Sequence, residues 1–188
     1  MTGQHGPGRR AVVIGVGNEY RRDDGAGPEV IAALRALQPD DADLSGVTLA
    51  VSDGEPSRMM DLWEGAGLAV VIDAVRASAT PPGHLYQLAI DALPGTPNTE
   101  DGGARPYSGA SSHSGASSHS GASSHSGASS HSIGLADTLE LARVLGRLPA
   151  RLTVLAVVGR DFGFGAGLSA EVAAAVAELV EQVRELVR

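Results

Sequence analysis

Short apolar runs alternate with stretches whose apolar residues recur at helical spacing, and this alternation is what most constrains the fold. The runs are residues 11–16, 47–51, 68–72 and 152–158. They are near-continuous, as expected for strands buried on both faces. Val30, Ile31, Leu34 and Leu37 mark a helix after the first run, with Pro28 and Glu29 suited to its first turn and Pro39-Asp40-Asp41 ending it. Ser57 is placed to cap a short helix carrying Met59, Met60, Leu62 and Trp63. A third helix is expected over 133–146 with Ser132 as its cap, and a fourth from Ser169 to the C-terminus. Residues 84–88 follow Pro81-Pro82-Gly83 and alternate like an edge strand. The expected architecture is a three-layer α/β/α sandwich around a twisted, mostly parallel five-stranded sheet.

At 188 residues, one domain is the default. Residues 1–10 are polar and Gly-rich and are expected to form a flexible leader. Residues 108–131 are four consecutive copies of Ser-Gly-Ala-Ser-Ser-His within a Gly-, Ser-, Pro- and Asp-rich region. Such a tract buries too little apolar surface to offset its ordering entropy, so a disordered insertion is expected at about 95–130 inside a single domain spanning 11–188. The balance of 14 Arg (there is no Lys) against 22 acidic residues argues against a nucleic-acid or anionic-membrane partner. The absence of cysteine excludes disulfides, thiolate metal sites and a cysteine nucleophile. With no signal-peptide core and no apolar run near the ~20 residues of a membrane span, a soluble, cytoplasmic protein is expected.

In parallel α/β sheets, sites gather at the carboxyl ends of strands. Asp23 and Asp24 fall in the Gly-rich loop after the first run, Asp53 and Glu55 after the second, Asp73 at the end of the third, and Arg160 and Asp161 after the last. A dinucleotide fingerprint starting at Gly15-x-Gly17 is disfavoured, because Tyr20 stands where its third glycine belongs and two aspartates would face the pyrophosphate. A carboxylate closing a central strand, as Asp73 does, is costly unless paired or ligated; a site role and a structural hydrogen bond both satisfy that requirement. His113, His119, His125 and His131 recur every six residues, as a metal-collecting tract or as repeat expansion would produce, and only His131 abuts an expected helix. Two carboxylates and an imidazole make a mixed O/N set that nickel, zinc or iron(II) tolerates. No Gly-x-Ser-x-Gly elbow is present.

These segments resemble a known family. Val13-Ile14-Gly15-Val16-Gly17-Asn18 followed by Asp23-Asp24-Gly25-Ala26-Gly27-Pro28 is similar to the opening signature of the nickel–iron (NiFe) hydrogenase maturation endopeptidases. Val70 to Ala74 with Pro82-Gly83, Ser130 to Asp137, and Gly167-Leu168-Ser169 match in the same order. The resemblance implies an endopeptidase that removes the C-terminal extension of the hydrogenase large-subunit precursor after nickel insertion. It implies Asp24 and Asp73 as catalytic residues, Asp24, Asp73 and His131 as metal contacts, and nickel supplied by the substrate. Either an aspartic-type or a metal-assisted route agrees with these residues. The family pattern has one His before the helix, so the three surplus repeats are a departure, and His125 competes with His131 as the third ligand. The alternative is a non-enzymatic nickel-binding accessory protein for hydrogenase assembly; a nucleotide-binding α/β domain is a third reading.

Overall fold

The computed structural model describes residues 10–91 and 135–188. Residues 1–9 of the expected leader over 1–10, the insertion at 95–130, Ser132 as a cap and His131 all lie outside the described residues. The elements are β1 (Ala11–Val16), α1 (Ala26–Leu37), β2 (Thr48–Ser52), α2 (Pro56–Trp63), β3 (Leu68–Val75), β4 (Leu85–Asp91), α3 (Leu135–Val144), β5 (Arg151–Val158) and α4 (Ala170–Val187). The five strands form one sheet in the order β2-β1-β3-β5-β4. All pairings are parallel except β4 with β5, which is antiparallel and places β4 at an edge. This is the mostly parallel α/β sheet expected.

The central strands explain the near-continuous apolar runs. In β1, Val12 and Ile14 point into one core and Val13 into the other; in β3, Ala69 and Val71 oppose Val70 and Ile72 in the same way. Each face therefore needs its own helical cover. On one face Val30, Ile31 and Leu34 of α1 and Val172, Leu179 and Val183 of α4 complete the core. On the other, Met59, Met60 and Trp63 of α2 and Ala142 of α3 do so. Trp63 is fully buried, and its indole N–H donates to the Arg147 carbonyl at 2.8 Å, so the one polar atom of the ring is satisfied.

Three local expectations change. β3 does not stop at Asp73; it runs on to Val75, with Asp73 opposite Ala156 of β5. The cap of α2 is Glu55, not Ser57: its carboxylate accepts from the Ser57 and Arg58 amides, and Pro56 occupies the first turn. Ser169 does stand at the N-cap of α4, but its hydroxyl makes no capping bond and turns elsewhere.

Candidate active site

β1 is followed by α1 and then β2 on one side, whereas β3 is followed by β4 at the opposite edge, so the connections leaving the carboxyl ends of these two neighbours diverge and open a crevice there. The loop after β1 fills one side of it. Gly17 has φ of 134°, a region that favours glycine, and a Cβ there would overlap the carbonyl oxygen of Asp24. Gly27 is equally constrained: a Cβ would overlap the Val16 carbonyl oxygen and stand 2.9 Å from that of Ile72. The first turn of α1 is thus pressed onto the ends of β1 and β3. The loop also closes on itself. The Asn18 side chain accepts from the Tyr20 amide at 2.9 Å, and the Asp24 amide donates to the Arg21 carbonyl at 3.1 Å.

This packing brings Asp24 beside Asp73, the residue after Ile72. Asp24 is half-buried; its Oδ2 accepts from the Asn18 amide at 3.1 Å. Burial raises its carboxyl above the usual range, against the opposing pull of Arg21, the Asn18 amide and Arg76. Asp73 accepts a hydrogen bond from the Ala74 amide at 2.8 Å. Burial, helped by the negative charge of Asp24, pushes Asp73 up to about 6 even though the Ala74 amide favours its anion. Two neighbouring carboxylates, both raised by burial at the carboxyl ends of central strands, form a place to hold a proton or to receive a cation.

Asp23, expected only as a companion of Asp24, has a different surrounding. It is fully buried, and its two oxygens take four hydrogen bonds. Oδ2 accepts from the amides of Arg160 and Asp161 at 2.7 and 2.9 Å and from the Ser169 hydroxyl at 3.0 Å. Oδ1 accepts from the Ser169 amide at 2.6 Å. Burial alone would raise this carboxyl, but the donors outweigh it and hold it below the usual range. Backbone ties reinforce the junction: the Arg22 amide donates to the Gly165 carbonyl and the Gly165 amide to the Tyr20 carbonyl, each at 2.9 Å.

Two guanidinium groups flank the pair. Arg76 lies over the Phe162 ring at 4.3 Å, and Arg21 donates to the Phe162 carbonyl at 3.3 Å while facing the Phe164 ring at 5.9 Å. Phe164 and Tyr20 are 90% and 68% exposed, so aromatic surface faces solvent beside the carboxylates in a chain with few aromatics. A cleft of about 320 Å³ runs past Tyr20, Glu19, Pro28, Glu29 and Leu168. The remaining acidic candidates have local duties. Asp53 pairs with Arg58 at 3.3 Å, Glu55 caps α2, and Asp161 pairs with Arg22 at 3.1 Å, while Arg160 pairs with Glu171 at 2.9 Å. The sequence reading took Asp23 together with Asp24 without a separate role, and it missed Arg21 and Arg76, which carry no motif of their own. Among the described residues, no group of three His, Cys, Asp or Glu is arranged to hold a metal ion.

Comparison with known proteins extends this geometry. Residues 122–186 match the family model described as hydrogenase maturation protease. That match covers the later segments of the resemblance, Ser130 to Asp137 and Gly167-Leu168-Ser169, and agrees with it there. The fold is shared with solved hydrogenase maturation endopeptidases across nearly the whole chain. The hydrogenase maturating endopeptidase HybD from E. coli is 23% identical, with a TM-score of 0.59 over 93% of this chain and 89% of that one. The NiFe hydrogenase maturation protease HybD from Thermococcus kodakarensis is 23% identical, with a TM-score of 0.59 over 95% and 99%. A hydrogenase 2 maturation peptidase from Thaumarchaeota archaeon SCGC_AB-539-E09 is 23% identical, with a TM-score of 0.54 over 94% and 97%. No curated protein matches the sequence. No helix among the described residues is long and apolar enough to cross a membrane.

Proposed function

We propose that this chain is an endopeptidase that removes the C-terminal extension of a NiFe-hydrogenase large-subunit precursor after nickel insertion, acting in the cytoplasm. The observation that carries this reading is the juxtaposition of Asp24 and Asp73 at the strand ends of a maturation-protease fold. Asp73, at about 6, is largely ionised at neutral pH, and Arg21 and Arg76 favour the anion of Asp24 against the effect of burial. Two adjacent anions suit a cation better than a shared proton.

The cation is the nickel carried by the precursor, which brings the scissile segment to the pair as part of the substrate. Two hard oxygen donors fit such an ion. His131 is proposed as the third contact; it lies outside the described residues, as does His125. Nickel held there would polarise the scissile carbonyl. Asp24, whose anion Arg21 and Arg76 favour, takes the proton of the attacking water, and that proton passes to the departing amine. The surplus histidines of the repeat tract are proposed to raise the local nickel concentration or to grip the nickel-loaded precursor.

The test is incubation of purified nickel-loaded precursor with the wild type, Asp24→Asn and Asp73→Asn, read by the mass of the large subunit. The reading expects one cut near the C-terminus by wild type alone. Tight nickel binding without any cut would favour the non-enzymatic nickel-binding accessory protein instead.

A further inference from the structure

We propose that Asp23 is the positioning residue of the site: its buried carboxylate ties the opening loop to the 160–169 segment so that Asp24 is held against Asp73. The proposal rests on the reading that Asp24 and Asp73 carry the chemistry. Four observations lead to it. Asp23 is fully buried, whereas its neighbour Asp24 faces the site. Its donors come from Arg160, Asp161 and Ser169, between 137 and 146 residues away in sequence, so the bonds fix one distant segment against another. The Ser169 hydroxyl is diverted to Asp23 from the capping bond that its position at α4 would otherwise allow. Finally, Gly159 brings the end of β5 so close that a Cβ there would lie 3.1 Å from the Asp23 Cβ.

Burying a carboxylate is expensive even when it is well satisfied, and the loop already has backbone ties to Gly165 and Asp161. A neutral residue would serve mere closure. What the charged latch adds is a single orientation for the next residue in the chain. Adjacent residues of one short 3-10 turn cannot rotate independently, so pinning both oxygens of Asp23 sets the direction of Asp24. The Asn18 amide reports that direction, since it donates to the Asp24 carbonyl at 3.2 Å and to its carboxylate at 3.1 Å. Supporting shells of this kind hold reactive groups within tolerances that matter for rate.

Ser169 permits a test that leaves Asp23 in place. Ser169→Ala removes one donor of four; Ser169→Thr keeps the hydroxyl. The expected result is a kcat for precursor processing lowered about tenfold in Ser169→Ala, with KM within about twofold of wild type and the rate restored in Ser169→Thr. In parallel, the Asn18 amide resonance should move in Ser169→Ala and return in Ser169→Thr. A wild-type rate for Ser169→Ala, or a Thr variant as slow as the Ala variant, would overturn the proposal. Should wild type fail to process the precursor, the functional reading falls, and the Asn18 resonance alone decides the positioning claim: unmoved, it refutes it.

Discussion

Replacing Asp73 by Asn should stabilise the fold while abolishing processing. Asp73 sits in β3 with its carboxyl raised from 3.8 to about 6, chiefly by burial and further by Asp24. A group raised in the folded state favours folding most when protonated. Its contribution is fully present below about pH 3.8 and is lost as pH rises through 6. The displacement is worth about 3 kcal/mol at most, and local relaxation brings the expected gain on neutralisation to about 2 kcal/mol. Asn retains an acceptor for the Ala74 amide, so the one hydrogen bond to the side chain survives. For a chain of this size the gain corresponds to a rise in Tm of roughly 4–8 °C. Denaturant and thermal melts of wild type and Asp73→Asn at pH 3.5 and pH 7.5 measure it. The variant should match wild type at the lower pH and exceed it at the higher. A variant no more stable than wild type at pH 7.5, or one with a pH-independent difference, would refute the reasoning.

Other consequences follow from the same residues. Gly17→Ala should cost roughly 3–5 kcal/mol, from a strained φ and overlap with the Asp24 carbonyl oxygen; a melt within about 2 °C of wild type would contradict this. Processing should rise with pH through about 6, as Asp73 loses its proton and the pair becomes able to receive nickel; an aspartic-type pair sharing one proton would show the opposite trend in the pH–rate profile. Deleting residues 108–125 while keeping 126–132 should slow processing at limiting nickel and leave it unchanged at saturating nickel, measured as precursor converted per unit time.

The layers of the fold were legible because β1 and β3 are buried on both faces, which writes near-continuous apolar runs into the sequence. The neighbourhood of Asp24 and Asp73 was legible too, since Asp24 follows β1 and Asp73 lies toward the carboxyl end of the adjacent parallel β3. The end of β3 was misread because an acidic residue resembles a stop, whereas pairing with β5 continues through Asp73. Glu55 was passed over as a cap for Ser57, the commoner residue type in that role, although both lie at the same helix end. Asp23 could not be told from Asp24 by sequence. Its partners lie more than 130 residues away, and no local pattern announces that one aspartate of an adjacent pair turns inward.

The central claim, that Asp24 and Asp73 work as one unit, is tested most directly by a double-substitution cycle on precursor processing. Rates are measured for Asp24→Asn, Asp73→Asn and the double variant, each with nickel-loaded precursor. The account predicts that either single substitution removes nearly all activity and that the double variant is no slower than the slower single. Independent effects that multiply in the double variant, or a single variant that keeps wild-type activity, would contradict it.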